Sequence, residues 1–387
     1  MKILPIIDSS RTELFEIFKD LHTHPELGFN EVRTSKIVGE KLKKWGIDEI
    51  HYGLGGTGVV GIIHGRLPGN QRVGLRADMD ALPIHEETNL SYKSKNDGVM
   101  HACGHDGHTT MLLGAAKHLA STRNFTGTVI VIFQPAEEGL GGARKMLSDG
   151  LFDKFPCDEI YGIHNWPNGS LGHVGICKGR AMAGSTFFDI KVNGTGSHAA
   201  MPHQAKDPLM IAATLVSQLQ TIVSRNVEPI ESCVVSVTKF ESGSAYNVVP
   251  DTATLCGTIR YFSDEVRELA ETRMIDICDG LAKAYDVEIG VKLRNVFNVL
   301  INDVELSDAY LEAAADIVGP QNVTDQQKPV TGSEDFADML QRVPGAYCIV
   351  GHGENIAVHN PEYSLDPEVI PIGASILARV AERRLAG

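Results

Sequence analysis

The feature that most restricts the fold is a series of short apolar runs with almost no polar interruption. They lack the alternation of a strand with one wet face, so they are typical of strands buried on both faces of an α/β sheet. Helical patterns separate them, the first over 11–46, where Asn30 is the predicted N-cap of a helix that ends near Gly46. The runs are 58–63, 73–75, 128–133, 159–163 and 346–350.

Acidic residues and histidines follow these runs directly. In open α/β sheets ligands bind beyond the carboxyl ends of the strands. We therefore expect these residues to share one site. They are Asp78 and Asp80, Glu137 and Glu138, His164 and, beyond the last run, His359.

Between 184 and 297 the pattern changes and the strand-end acids and histidines disappear. Partly alternating strands are predicted at 187–192, 234–240, 252–261 and 287–293, and amphipathic helices at 208–225 and 263–285. The order β-α-β-β-α-β is that of a small ferredoxin-like unit. We predict a first domain of residues 1–183 and 298–387, interrupted by an inserted domain of residues 184–297. A final helix from Ile372 onward packs back on the first domain.

Composition excludes several classes of protein. A net charge of −14 argues against binding to nucleic acid, whose phosphates an acidic surface repels. Seven scattered cysteines do not form the dense, even set of a secreted disulfide framework. Without an apolar run of about 18 residues, no membrane span is expected. A soluble, cytoplasmic protein with reduced thiols remains.

The densest cluster of reactive side chains is 101–108, which holds three histidines, a cysteine and an aspartate. Thiolate and imidazole are ligands that zinc prefers. Cys103 and His105 can bind one metal only if the backbone turns between them, and Gly104 permits that turn. The alternative is a surface loop ahead of an apolar helix over 110–119.

Glu137 and Glu138 place two carboxylates at the end of a buried strand. Adjacent side chains diverge, so one can bind metal while the other serves as general acid-base. A solvated pair of glutamates is the alternative. With Cys103, His105, His164 and His359, one of these carboxylates completes five ligands, enough for two metals that share one. Such a pair, about 3.5–4 Å apart, can drive a hydrolysis.

One histidine outside this set stands in a glycine-rich stretch of the inserted domain. His198 lies in 194–203, where flanking glycines indicate a tightly turned loop. An incidental exposed histidine is the alternative.

Eight segments in this order resemble the M20 family of metallopeptidases and aminoacylases. The similarity is greatest to its hippurate hydrolases and N-acyl-amino-acid amidohydrolases. The segments span nearly the whole chain, and their combination is specific although no single one is. They are 21–27 (LHTHPEL), 75–83 (LRADMDALP), 100–109 (MHACGHDGHT), 133–139 (FQPAEEG), 194–202 (GTGSHAAMP), 247–250 (NVVP), 332–336 (GSEDF) and 358–360 (VHN).

The resemblance implies an α/β fold: a mixed-sheet, di-metal, zinc-exopeptidase-like catalytic domain with an inserted ferredoxin-like lid. It also assigns roles. Glu137 is the general base, His198 stabilises the oxyanion, and Asn247 and Arg260 hold the substrate carboxylate. The implied metal ligands are Cys103, His105, Glu138, His164 and His359.

The chain departs from the wider family where a His-x-Asp motif supplies a ligand and its orienting acid. Asp78 and Asp80 stand there instead, and we expect Asp80 to orient a ligand. With a thiolate among the ligands, zinc is the default metal, and manganese, cobalt and nickel are alternatives.

The expected activity is hydrolysis of N-acyl amino acids to a carboxylic acid and a free amino acid. A dipeptidase or carboxypeptidase is the alternative within the family, and a metal-binding module without turnover is the alternative outside it. The resemblance also implies a homodimer or homotetramer formed through the lid, in which His198 can serve a neighbouring subunit.

Overall fold

The computed structural model describes residues 1–353 and 356–387. Its chain separates into two compact units. Unit 1 comprises Met1–Ala181, Leu300–Pro329 and Glu334–Gly387, and unit 2 comprises Met182–Val299 and Val330–Ser333. Each unit has its own cluster of buried hydrophobic side chains.

Sixteen strands form four sheets within the described residues. In chain order they are β1 (Glu49–Leu54), β2 (Gly58–His64), β3 (Leu67–Asp78), β4 (Thr126–Gln134), β5 (Glu159–Trp166), β6 (Val174–Gly175), β7 (Gly179–Met182), β8 (Gly184–Asn193), β9 (Ser197–His198), β10 (Cys233–Ser242), β11 (Val248–Val249), β12 (Thr252–Tyr261), β13 (Glu288–Phe297), β14 (Leu300–Asn302), β15 (Val323–Thr324) and β16 (Gly345–Gly351).

Eleven α-helices accompany the strands in the same part of the chain. They are α1 (Pro5–Ser9), α2 (Arg11–Thr23), α3 (Val32–Lys44), α4 (His105–Thr122), α5 (Gly142–Ser148), α6 (Leu151–Lys154), α7 (Pro208–Thr221), α8 (Asp264–Tyr285), α9 (Val304–Val318), α10 (Phe336–Leu340) and α11 (Val369–Arg384). Within residues 1–353 and 356–387, none of these helices combines the length and the apolar character that a membrane span requires.

Unit 1 is built on a mixed sheet with the strand order β1-β2-β4-β3-β5-β16-β6-β15. The four central strands β4, β3, β5 and β16 are parallel, so their carboxyl ends lie at one edge. Both faces of this region are covered, which is why its strands appear in the sequence as continuous apolar runs. The α/β, mixed-sheet prediction is confirmed.

The sequence predicted too little of β3. The strand begins at Leu67 instead of residue 73 because its first six residues are exposed and carry no apolar signal. The buried half, from Val73 to Asp78, is the part that the hydrophobic pattern detects.

Two predicted helix boundaries are displaced. The helical pattern over 11–46 is confirmed as α2 and α3, but α3 takes Glu31 rather than Asn30 as its N-cap. The Asn30 side chain instead donates to the carbonyl oxygen of Gly28. The final helix begins at Val369, three residues before the predicted start, and packs in unit 1 against α4 and α9 as expected. Helix α9 itself was not predicted.

Unit 2 is a four-stranded antiparallel sheet in the order β10-β12-β8-β13, with α7 and α8 packed against it. Its elements follow one another as β-α-β-β-α-β, which confirms the ferredoxin-like prediction. The predicted helix over 208–225 is an α-helix only to Thr221, after which a π-helical turn spans Ile222–Asn226.

Candidate metal centre

The cluster 101–108 reaches the strand edge through a left-handed turn. Gly104 has a φ of +87°, which an L side chain rarely adopts, and α4 begins at the next residue. His105 therefore lies in the first helical turn, not in a loop ahead of a helix at residue 110. The turn at Gly104 brings the Cys103 thiol and the His105 ring to the same place, within 4.8 Å of each other.

His105 is buried, and its protonation pattern follows from its neighbours. Its Nδ1 lies 3.2 Å from Asp80 Oδ1, and a carboxylate can only accept, so Nδ1 carries the proton. The Nε2 atom then faces the carboxyl edge, where Glu138 Oε1 lies 3.9 Å away. Among the described residues, His105 Nε2 has no hydrogen-bond partner.

His164 lies near the end of β5, and its Nδ1 atom, like that of His105, is hydrogen-bonded. Its Nδ1 donates to the main-chain oxygen of Asn165 at 2.6 Å. Its Nε2 is thereby left unprotonated, 3.5 Å from Cys103 Sγ. Burial and the neighbouring His108 lower the pKa of His164 to about 3, so the ring is neutral at pH 7.

Glu138 and His359 complete the set of possible ligands. His359 Nε2 lies 3.2 Å from Glu138 Oε1, and the His359 main chain donates to Ala102 O at 2.7 Å. Cys103, Glu138 and His359 form one group whose ligand atoms lie within 4.8 Å of one another, and Cys103, His105 and His164 form a second. The two groups share Cys103, as expected of two adjacent metal ions.

Glu137 occupies a different environment from Glu138. It is buried, and it follows Ala136, whose positive φ of 55° is stabilised by a hydrogen bond from Ala136 N to the Glu31 carboxylate. Burial, followed by the charges of Glu334 and the neighbouring acids, raises the pKa of Glu137 well above its usual value. A carboxyl group of this kind can both take up and release a proton.

Asp80 contacts two of the predicted ligand residues. One carboxylate oxygen accepts from His105 Nδ1, and the other accepts the main-chain N–H of Glu138 at 3.0 Å. Asp78 accepts from His108 Nδ1 at 2.7 Å and from Arg76 Nη1 at 2.8 Å. Its Oδ2 also lies 3.8 Å from His105 Nε2, so the two aspartates flank the same histidine.

Three further residues, His22, Glu86 and Asp106, form a buried group at the start of α4 that sequence reasoning missed. His22 Nδ1 lies 2.7 Å from Asp106 Oδ2, and His22 Nε2 lies 3.3 Å from Glu86 Oε1. Although burial opposes a charge here, hydrogen bonds to the two acids raise the pKa of His22 to about 9. The sequence did offer His22 within the segment 21–27. However, His22 and Asp106 are 84 residues apart, so their spacing gives no reason to expect a contact.

The remaining predicted site residues lie in unit 2. His198 is exposed on β9, and its Nδ1 accepts the N–H of Ala200 at 3.1 Å. Asn247 adjoins it, because its main-chain oxygen accepts the N–H of Ala199 at 3.0 Å and the next residue begins β11, the partner of β9. Arg260, half-buried on β12, donates to Ser333 Oγ at 2.5 Å.

Comparison with known proteins places this chain in a family. The model of peptidase family M20/M25/M40 matches residues 74–383, and the chain belongs to that family. It is 44% identical to a hippurate hydrolase of Campylobacter jejuni over the full length of both. An N-acetylcysteine deacetylase of Bacillus subtilis is 38% identical, covering 96% of each chain.

A solved structure gives the same result for the fold. The Bacillus subtilis YXEP protein, described as a dinuclear metal-binding peptidase of the M20 family, superposes with a TM-score of 0.84 at 35% identity. The match covers 98% of this chain and 99% of that one. The resemblance inferred from the eight sequence segments is thus confirmed.

Proposed function

We propose that this protein hydrolyses the amide bond of N-acyl amino acids, of the hippurate or N-acetyl type, with the help of two divalent metal ions. The observation that carries the proposal is a buried glutamate, Glu137, beside two overlapping groups of ligand atoms that share Cys103. The names of the two relatives, a hippurate hydrolase and an N-acetylcysteine deacetylase, support this class of substrate.

The side chains fit metal ions. Buried polar atoms without partners are costly, and a cation accounts for the unpaired His105 Nε2. Thiolate and imidazole donors favour zinc, with manganese, cobalt or nickel as alternatives. When bound, such ions polarise a carbonyl oxygen and acidify a water molecule. The residues that would hold them are Cys103, His105, Glu138, His164 and His359.

Glu137 would move the proton. Its carboxylate accepts a proton from the water whose oxygen attacks the amide carbonyl carbon. It then delivers that proton to the amide nitrogen as the C–N bond breaks, which yields a carboxylic acid and a free amino acid. Asp80 would keep His105 in its Nδ1-protonated form and fix the main chain at Glu138.

The lid residues would recognise the substrate. His198 is proposed to donate a hydrogen bond to the oxyanion, and Asn247 and Arg260 to bind the free carboxylate of the amino acid. The adjacency of His198 and Asn247 in unit 2 supports a shared role. We also propose a homodimer or homotetramer formed through the lid, which sedimentation velocity would test.

We place the reaction in the cytoplasm. All seven cysteines are free thiols in the described part of the chain, as expected of a reducing compartment. Fractionation of cells that express the protein would test this location.

The decisive variant is Glu137→Gln, which keeps the shape of the side chain and removes its ability to accept a proton. We expect kcat on N-benzoylglycine and N-acetyl amino acids to fall by about 10²–10⁴-fold. Bound metal, measured on the same sample by mass spectrometry, should stay at the wild-type level. Glu40→Gln, at a largely exposed position on α3, is the control and should keep full activity.

The substrate panel separates the alternatives. Dipeptides turned over faster than every N-acyl amino acid would favour a dipeptidase or carboxypeptidase. Metal-loaded protein without activity on the whole panel would favour a binding module. Normal turnover by metal-loaded Glu137→Gln protein would refute the assigned base.

A further inference from the structure

Asn165 is a buried asparagine that contacts two proposed metal ligands, Cys103 and His164. It follows the proposed ligand His164 in β5 and has no exposed surface. Its Nδ2 donates to the main-chain oxygen of Cys103 at 2.6 Å, and its Oδ1 accepts from the Tyr363 hydroxyl at 2.8 Å. Its main-chain oxygen accepts from His164 Nδ1. One residue therefore contacts two proposed ligands.

The orientation of the amide is fixed by chemistry. The Cys103 carbonyl can only accept, so the NH₂ group of Asn165 must face it, and Oδ1 is left for Tyr363. His108 Nε2 accepts the main-chain N–H of Asn165 at 3.0 Å, so the proton of His108 is on Nδ1. That proton is donated to Asp78, which is held in turn by Arg76.

The turn at Gly104 packs directly on the same amide. A Cβ atom added there would lie 2.5 Å from Asn165 Nδ2 and 2.8 Å from the Tyr363 hydroxyl. Both distances are too short for van der Waals contact. Asn165 and Tyr363 therefore leave no room for a side chain at the turn between Cys103 and His105.

We propose that Asn165 is a positioning residue that fixes the Cys103 thiolate relative to the His164 ring, and that it thereby sets the metal affinity of the site. The inference rests on the proposed metal centre. Groups that orient metal ligands typically account for 10–100-fold in metal affinity. Because Asn165 contacts the ligands through their main chain and Nδ1 atoms, it influences the metal without binding it.

The test uses Co²⁺ as a probe, because a bound thiolate gives a charge-transfer band in the near ultraviolet. We expect Asn165→Ala and Asn165→Asp to lower Co²⁺ affinity by about 10–100-fold and to shift this band. Asn165→Asp keeps the shape of the side chain but turns an oxygen toward the Cys103 carbonyl. Cys103→Ser should abolish the band and so identify it.

Asn302→Ala is the matched control. Asn302 is also a buried asparagine whose amide joins main-chain segments, at Cys177 and Tyr347, and it contacts no proposed ligand through these bonds. It should lose stability while keeping the wild-type Co²⁺ affinity and spectrum. If it loses affinity to the same extent as the Asn165 variants, the specific role of Asn165 is refuted.

The outcomes separate the two levels of the proposal. Wild-type affinity and an unchanged band in folded Asn165→Asp protein overturn the positioning role alone. Failure of the wild-type protein to bind Co²⁺, or a band that survives Cys103→Ser, overturns the proposed metal centre itself. If the Asn165 variants do not fold, Tyr363→Phe decides: a several-fold weaker Co²⁺ affinity supports the role, and an unchanged affinity refutes it.

Discussion

Arg76 is a fully buried arginine at the centre of an acidic group. Its Nη1 donates to Asp78 at 2.8 Å, its Nη2 lies 2.8 Å from Glu334 and 3.1 Å from Asp335, and its Nε donates to Gln134 at 2.8 Å. These acids adjoin Glu137, whose Oε1 accepts the main-chain N–H of Asp335 at 3.4 Å. The guanidinium thus compensates the negative charge that the centre concentrates in the core.

We predict that Arg76→Met destabilises the protein by about 3–5 kcal/mol, because it leaves buried carboxylates without a counter-charge. Arg72→Met is the control, since Arg72 lies on the same strand but is exposed. Its effect should stay within about 0.5 kcal/mol. Urea unfolding followed by circular dichroism measures both, and equal effects would contradict the prediction.

Among the elements, the turn into α4 combines a left-handed main chain with tight packing. Gly104, in the left-handed conformation, is the N-cap of α4, and the helix starts at the proposed ligand His105. Asp106, in the same first turn, is buried against His22. The start of the helix is therefore held by polar contacts as well as by apolar packing against Leu365.

We expect Gly104→Ala to be far more damaging than Gly98→Ala. Both glycines have a positive φ, +87° and +74°, but a Cβ at Gly98 meets open space. Gly98→Ala should cost about 1–2 kcal/mol from main-chain strain alone. Gly104→Ala adds the collision with Asn165 and should also reduce bound metal. Unfolding free energies and metal content test the pair, and similar values for both variants would contradict it.

The same elements show how far sequence reasoning extends. The central strands were predictable because burial on both faces leaves a continuous apolar run. The convergence of Cys103, His105 and the strand-end residues followed from the parallel order of the strands. The start of α4 was placed too late, because its polar first turn is stabilised by tertiary contacts that no local pattern reveals.

The supporting network could not be predicted for a related reason. Arg76 and Glu334 are 258 residues apart in the chain, so only the completed fold brings them together. Asn165 carries no motif signal, since its role depends on the positions of a turn and of Tyr363. Local sequence motifs thus identified the candidate ligands, whereas the residues that position those ligands could be identified only from the structure.

At the level of the whole molecule, each unit has its own hydrophobic core, and the proposed metal ligands belong to unit 1 alone. The five proposed ligands all lie in unit 1, as do both tryptophans of the chain, Trp45 and Trp166. Tryptophan emission therefore reports on the metal-binding unit, while circular dichroism reports on both units.

We predict that a chelator lowers the unfolding midpoint detected by tryptophan emission. A ligand at 100 times its Kd stabilises the folded state by about 2.7 kcal/mol, and removal of the metal loses that contribution. Part of the circular dichroism signal, from unit 2, should keep its midpoint. An unchanged tryptophan transition after complete removal of metal would contradict the prediction.

The interrupted path of unit 1 also has a consequence for biosynthesis. Strand β16 enters the sheet beside β5, although the whole of the inserted fold from Met182 to Val299 precedes it in the chain. On the ribosome, which releases the chain from its amino end, the four strands of the ferredoxin-like sheet emerge before β16 and His359 exist. The edge of β5 that pairs with β16 therefore stays unpaired until the inserted fold has emerged.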